Sequence, residues 1–165
     1  MEQIYTHPKR KTKVVFVQLG SPSEPTTKAL RKYLRKFLGD PRVVDINPWL
    51  WKLILNFFVL PFRPKKSAKL YARIWDGKSF PLITNTRDFT DNVREELKKI
   101  DPNGYVEVNH AFLLSPPYVN EVYDNWEEDL KKGIGATKLL VIPMFPQYSE
   151  STIASGVDAL ARELS

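Results

Sequence analysis

Lys138-Leu139-Leu140-Val141-Ile142-Pro143-Met144-Phe145-Pro146-Gln147-Tyr148-Ser149-Glu150-Ser151-Thr152 decides the fold of this chain. Its first five residues are aliphatic and β-branched, the pattern of a buried parallel strand. The residues that follow, Ile153-Ala154-Ser155-Gly156-Val157-Asp158-Ala159-Leu160, carry helical periodicity. The stretch between is therefore a strand-to-helix crossover at the carboxyl end of a sheet, where ligands of open α/β sheets bind. Two prolines stiffen it and Phe145 and Tyr148 offer flat surface. Ser149, Ser151 and Thr152 gather at the first helical turn, where Ser149 or Ser151 can cap backbone N–H groups and leave the other donors for an anion. The competing interpretation is a capped helix after a Pro-rich turn.

Working outward, Lys13-Val14-Val15-Phe16-Val17-Gln18-Leu19 has the β-branched character of a central strand, broken by Gly20-Ser21-Pro22. Leu30, Tyr33, Leu34, Phe37 and Leu38 then recur at helical spacing, the stripe of a helix packed on a sheet. Lys28, Arg31, Lys32, Arg35 and Lys36 form its outer face, and Gly39 stands where a left-handed cap would end it. Residues 41–46 read as a short extended segment. Between 49 and 62 lie eleven large apolar residues and one charge, Lys52, with Arg63, Lys65, Lys66 and Lys69 beside them. This segment is too short to span a bilayer, so it is buried in its own core or in a partner, or rests on an anionic lipid surface. Helical patterns over 67–75, 79–100 and 119–130 and a strand over 105–112 complete the order β, α, apolar segment, α, α, β, α, β, α. That order predicts a parallel sheet with helices on both faces.

Composition narrows the chemistry. The 165 residues, 42% hydrophobic, suit one domain. There is no cysteine, which removes thiol chemistry, cysteine-zinc sites and disulfide scaffolds. His7 and His110 are the only histidines and do not declare a metal site by spacing. The net charge of +6 fits an acidic small molecule, an anionic lipid or a nucleic acid. Nucleic acid ranks last because no recognition motif accompanies the basic residues and the aromatics do not interleave with them. The polar start, 1–12, lacks a signal-peptide core and reads as a tail, so a cytoplasmic location is expected.

Three runs occur in order: Gln18-Leu19-Gly20-Ser21-Pro22; Arg63 through Trp75 followed by Ser79-Phe80-Pro81-Leu82; and Pro146-Gln147-Tyr148-Ser149-Glu150-Ser151-Thr152. With Phe37-Leu38-Gly39-Asp40-Pro41-Arg42-Val43-Val44-Asp45-Ile46, they make the chain resemble the N-terminal half of ferrochelatase, an enzyme of haem synthesis. The resemblance implies an α/β, Rossmann-like (chelatase-type) half-domain over 13–165, its parallel β-sheet flanked by helices on both faces. It implies a cleft in which ferrous iron is inserted into a porphyrin, both being substrates, with no fixed cofactor. Leu19, Ser21, Lys36, Tyr71 and Ser79 fall on porphyrin-contacting positions, and Phe145, Tyr148, Ser149, Ser151 and Thr152 on the cleft wall. The 49–62 segment becomes a hydrophobic lip, with Trp49, Trp51, Phe57 and Phe58 as residues that meet a membrane periphery.

The resemblance places no catalytic residue in this chain, because the family's metal-delivering histidine and its glutamate lie in the other half; the metal ligands are unknown. Where the family shows a Met-Arg-Tyr-Gly-Asn-Pro-like run, this chain has Ala111-Phe112-Leu113-Leu114-Ser115-Pro116-Pro117, with Leu113-Leu114 in place of Arg-Tyr. The expected function is thus half of a ferrochelatase-type enzyme, inactive without the catalytic half. The alternatives are a porphyrin or haem carrier, or a chelatase in which a second copy supplies the other half.

Overall fold

A computed structural model of the chain describes residues 11–154, 156–158 and 161. Strand β1 (Thr12–Gln18) is central in a three-stranded parallel sheet, between β2 (Val106–Phe112) and β3 (Lys138–Pro143). Val14 pairs with Val108 on one side and with Leu140 on the other. Residues 14–17 of β1 are all buried, as their β-branched and aromatic side chains require.

Alternation along β1 splits the core in two. Val15, Val17 and Ala111 face helix α5 (Val119–Lys131), which brings Val119 and Val122. Val14, Phe16 and Val108 face helix α4 (Pro81–Ile100), which brings Val93 and Leu97. Helices thus cover both faces, and the architecture is α/β as expected. The tail assigned to 1–12 lies outside the described residues except Lys11 and Thr12, and Thr12 already belongs to β1.

A third cluster stands off the sheet. Helix α1 (Thr27–Leu38) starts at Thr26, whose Oγ1 accepts the Ala29 N–H at 3.2 Å. Its stripe, Tyr33, Leu34 and Leu38, packs on Leu55 and Leu60 rather than flat on the sheet. Those two belong to a continuous helical rod over 48–74: α2 (Pro48–Ile54), a π-helical turn (Leu55–Val59), α3 (Leu60–Tyr71) and a 3₁₀ turn (Ala72–Ile74). Pro64 lies inside α3 and cannot donate to the Leu60 carbonyl one turn back. Arg31 of α1 replaces that donor, with Nε at 3.2 Å from the Leu60 oxygen.

Four further sequence expectations are corrected. Residues 41–46 are not extended, because Val43 and Val44 both donate to the Asp40 carbonyl and form turns. Gly39 is not left-handed, having φ −83°. It is suited to glycine for another reason: an added Cβ would come 2.6 Å from the Arg35 carbonyl oxygen. The apolar segment and the helix after it are one rod, not two elements. Finally, β3 is not a buried strand; it is an edge among the described residues, and Leu140 is 48% exposed.

Candidate functional site

The carboxyl ends of the strands are laced together. Gln18 donates through Nε2 to the Met144 carbonyl at 2.8 Å, and its Oε1 accepts the Leu19 N–H at 3.0 Å. Leu113 N–H bonds the Gln18 carbonyl, Leu114 N–H the Leu19 carbonyl, and Met144 N–H the Val17 carbonyl. The three exit loops therefore share one rim, the position open parallel sheets use for ligands.

A cavity of about 330 Å³ opens at that rim between the exits of β1 and β2, at the small end of the roughly 300–1,000 Å³ usual for ligand sites. Ser21, Pro22 and Ser23 form one side, and Leu114, Ser115, Pro116 and Tyr118 another. Helix α1 contributes Ala29, Lys32, Tyr33 and Lys36, and the rod's end with the start of α4 contributes Trp75, Lys78, Ser79, Phe80 and Ile83. The lining thus combines flat and apolar surface with three lysines and four serines.

Local chemistry fixes several of these groups. Gly20 adopts φ +93°, a region that favours glycine. A Cβ there would lie 2.4 Å from Ser115 Oγ, and that hydroxyl accepts the Ser21 N–H at 3.3 Å. The turn 76–79 is held by Asp76, whose carboxylate accepts the backbone N–H groups of Ser79 and Lys78 at 2.5 and 2.7 Å. Those two bonds, Ser79 first, lower the Asp76 pKa. Lys36 Nζ sits 4.0 Å from the centre of the Tyr118 ring, a cation–π contact across the cavity. Tyr33 donates to the Gly20 carbonyl at 3.4 Å. Burial, and then Tyr71, push its phenol up, so it stays neutral.

Of the sequence-selected residues, Ser21, Lys36 and Ser79 line this cavity together. Tyr71 stands behind it, its ring edge-on to Phe80 at 5.5 Å and 6.3 Å from Tyr33. Leu19 is half-buried on the β1 exit. Phe145, Tyr148, Ser149, Ser151 and Thr152 follow β3 and are not in the cavity lining. There Ser149 Oγ and Ser151 Oγ are 2.9 Å apart and Thr152 Oγ1 donates to Ser149 Oγ at 3.1 Å. The Ser149 carbonyl starts the helical ladder by accepting from Ile153 at 3.0 Å. The hydroxyls thus bond one another instead of presenting a row to an anion. A fork from Arg42 to Asp158, at 2.7 and 3.3 Å, ties the following helix to the loop after α1.

Sequence reasoning missed Lys32, Lys78, Tyr118 and Ser115. Lys32 carried a signal, since it lies one turn before Lys36 on the same helix face. Lys78 and Tyr118 had none, because only the fold brings their loops to α1.

On the rod, Trp49 is 80%, Phe57 67% and Phe58 69% exposed, and Leu50, Leu53 and Phe62 are exposed with them. Arg63, Lys65, Lys66 and Lys69 are exposed alongside. Trp51 differs from its neighbours: it packs into the α1 cluster and its indole N–H donates to the Leu38 carbonyl at 2.6 Å. It anchors the lip rather than projecting from it. No helix among the described residues is long and apolar enough to cross a membrane. No group of three or more His, Asp or Glu side chains that could hold a metal ion gathers among the described residues.

The family model described as Ferrochelatase matches residues 11–165. The chain is 43% identical over 150 residues to the ferrochelatase of Idiomarina loihiensis, covering 91% of this chain and 40% of that one. It is 40% identical to the ferrochelatase of Marinobacter nauticus, covering 91% and 39%. It is 39% identical to ferrochelatase 1 of Shewanella oneidensis, covering 92% and 43%. The chain therefore spans about 40% of the length of the curated relatives it matches.

Proposed function

The chain belongs to the ferrochelatase family, and on that premise we propose that it is the porphyrin-holding half of a site that inserts ferrous iron into a porphyrin in haem biosynthesis. The observation that carries this reading is the cavity at the exits of β1 and β2. A porphyrin is a broad apolar disc with carboxylates on its edge. Trp75, Ile83 and Leu114 offer surface for the disc, with Phe80 buried behind them, while Lys32, Lys36, Lys78 and the serines offer partners for the carboxylates. The disc extends past the cavity, so Leu19 and the stretch after β3, including Phe145 and Tyr148, form the continuation of its bed.

Metal insertion removes two pyrrole protons and needs a base and a metal ligand within reach of the ring nitrogens. The described residues gather no group of three or more His, Asp or Glu side chains for the metal, and the base and the ligand are assigned elsewhere. They are supplied in this reading by a second half-domain, on the same polypeptide or a second copy. This half binds the substrate, orients it and covers one side of it. The exposed lip rests on an anionic membrane surface, its aromatics in the interface and Arg63, Lys65, Lys66 and Lys69 on the lipid phosphates. Flotation with anionic phospholipid vesicles, but not with neutral ones, is expected; equal behaviour with both would remove the membrane part.

The test of the reading is an absorbance and fluorescence titration of the chain with protoporphyrin. Saturable one-to-one binding is expected, weakened about tenfold or more by Lys36→Glu, which turns a charge-assisted contact into a repulsion. Non-saturable uptake indifferent to that substitution would refute it.

A further inference from the structure

The connection over 75–80, between the rod and α4, carries two of the polar groups that face the cavity. Lys78 and Ser79 line it, with Trp75 before them and Phe80 after them, whereas Asp76 and Gly77 are not part of the lining. A loop between two helices is ordinarily mobile. An ammonium carried on such a loop loses freedom each time it meets a ligand, and that loss is subtracted from the affinity.

This loop is fixed at two levels. At its base the rings of Trp75 and Phe80 meet edge to face with centroids 4.7 Å apart, and Phe80 is 1% exposed. Inside it, Asp76 Oδ1 accepts from the N–H groups of both Lys78 and Ser79, and the Asp76 N–H donates back to the Ser79 carbonyl at 3.3 Å. Bonds to an ionised acceptor are the stronger kind. Gly77 stands at φ +96° with nothing within 4 Å of an added Cβ, so glycine serves the backbone there and not close packing.

The charges are arranged to leave the cavity positive. A carboxylate two positions from a lysine could neutralise it, yet among the described residues no ion pair joins Asp76 to Lys78. The amide bonds are the main cause that lowers the Asp76 pKa, and the Lys78 charge contributes least. Lys32 and Lys36 also lack a carboxylate partner among the described residues, whereas Lys13, Lys98, Lys99, Lys131 and Lys132 each have one.

We propose that Asp76 is a positioning residue for the carboxylate-binding side of the cavity. Without touching the ligand, its carboxylate presets the loop so that the Lys78 ammonium and the Ser79 hydroxyl meet a carboxylate on the porphyrin edge. The inference rests on the porphyrin-holding function proposed above. It predicts an effect opposite in sign to simple charge repulsion. Asp76 is an exposed negative group beside an anion site, so by Coulomb attraction and repulsion alone its removal strengthens carboxylate binding. By positioning, its removal weakens that binding, because the ligand must then order Lys78 and Ser79 itself.

The test compares protoporphyrin with its dimethyl ester, whose edge carries no carboxylate, by fluorescence titration of the full chain in one non-ionic detergent buffer. Asp76→Ala is expected to weaken protoporphyrin binding about fivefold or more and to change ester binding by less than about twofold. Asp76→Asn keeps an accepting oxygen and drops the charge, and is expected to recover most of the loss. Asp76→Ala combined with Lys78→Ala is expected to lose less than the product of the two single losses, since one residue acts through the other. Equal weakening of both ligands, tighter binding by Asp76→Ala, no recovery by Asp76→Asn, or losses that multiply would overturn the proposal and leave the porphyrin site standing. Absence of saturable protoporphyrin binding by the parent chain would remove the proposed function, and this inference with it.

Discussion

Single residues set the shape of the cavity. Gly20 sits at φ +93° directly beneath Ser115, so Gly20→Ala incurs both backbone strain and a clash. We expect a loss of roughly 1–3 kcal/mol in chemical denaturation, together with weaker protoporphyrin binding, because Ser115 and Ser21 move with it. The glycine was legible in the sequence as a strand breaker; its contact with Ser115, 95 positions on, was not, since it depends on β1 and β2 being neighbours. Gly39 gives the opposite lesson: its place after a helix suggested left-handed geometry, and crowding by the Arg35 carbonyl is the actual constraint. His110 makes a pH prediction. Its folded pKa lies below the ordinary 6.5, so the unfolded chain binds the extra proton first. The stability that neutral His110 contributes is complete above about pH 6.5 and is lost as pH falls towards the folded pKa. Thermal melts of His110→Gln should show a shallower decline than the parent below pH 6.5; parallel curves would contradict this.

At the scale of elements, the rod over 48–74 holds together through contacts no local pattern announces. Pro64 removes the donor for the Leu60 carbonyl, and Arg31 of α1 supplies another. Arg31→Ala should therefore destabilise by about 1 kcal/mol and loosen α1 from α3, read as a lower melting temperature with the helical signal otherwise retained. Removal of an ordinary exposed arginine would leave the melt unchanged. The same rod explains why the apolar run could not be assigned from sequence. Its residues nearly encircle the helix, so the pattern does not say which side is buried. Packing decides: Leu55, Leu60 and Trp51 turn to α1, while Trp49, Phe57 and Phe58 face outward. The helices of the sheet were legible because their stripes are narrow. Residues 41–46 misled because β-branched Val43 and Val44 fill a turn packed against that cluster.

At the scale of the whole molecule, the β-branched strands and the helical stripes between them were enough to predict a parallel α/β sheet, and β1 is its centre. What the chain order could not supply was the site's division. The stretch after β3 that settles the fold has its hydroxyls bonded among themselves, and the enclosed cavity lies across the rim at the exits of β1 and β2. Leu114, standing where the family resemblance expects a polar residue, makes part of that cavity's apolar lining and also packs under the lip cluster. The central claim is that this cavity holds the edge of a tetrapyrrole. A macrocycle bound there must impose its ring current on the methyl groups that line it. The most direct measurement is therefore a methyl NMR spectrum of the chain with and without zinc protoporphyrin, a diamagnetic product analogue. Large saturable shifts at Ala29, Ile83 and Leu114 are predicted; shifts confined to the exposed lip, or no specific shifts at all, would contradict it.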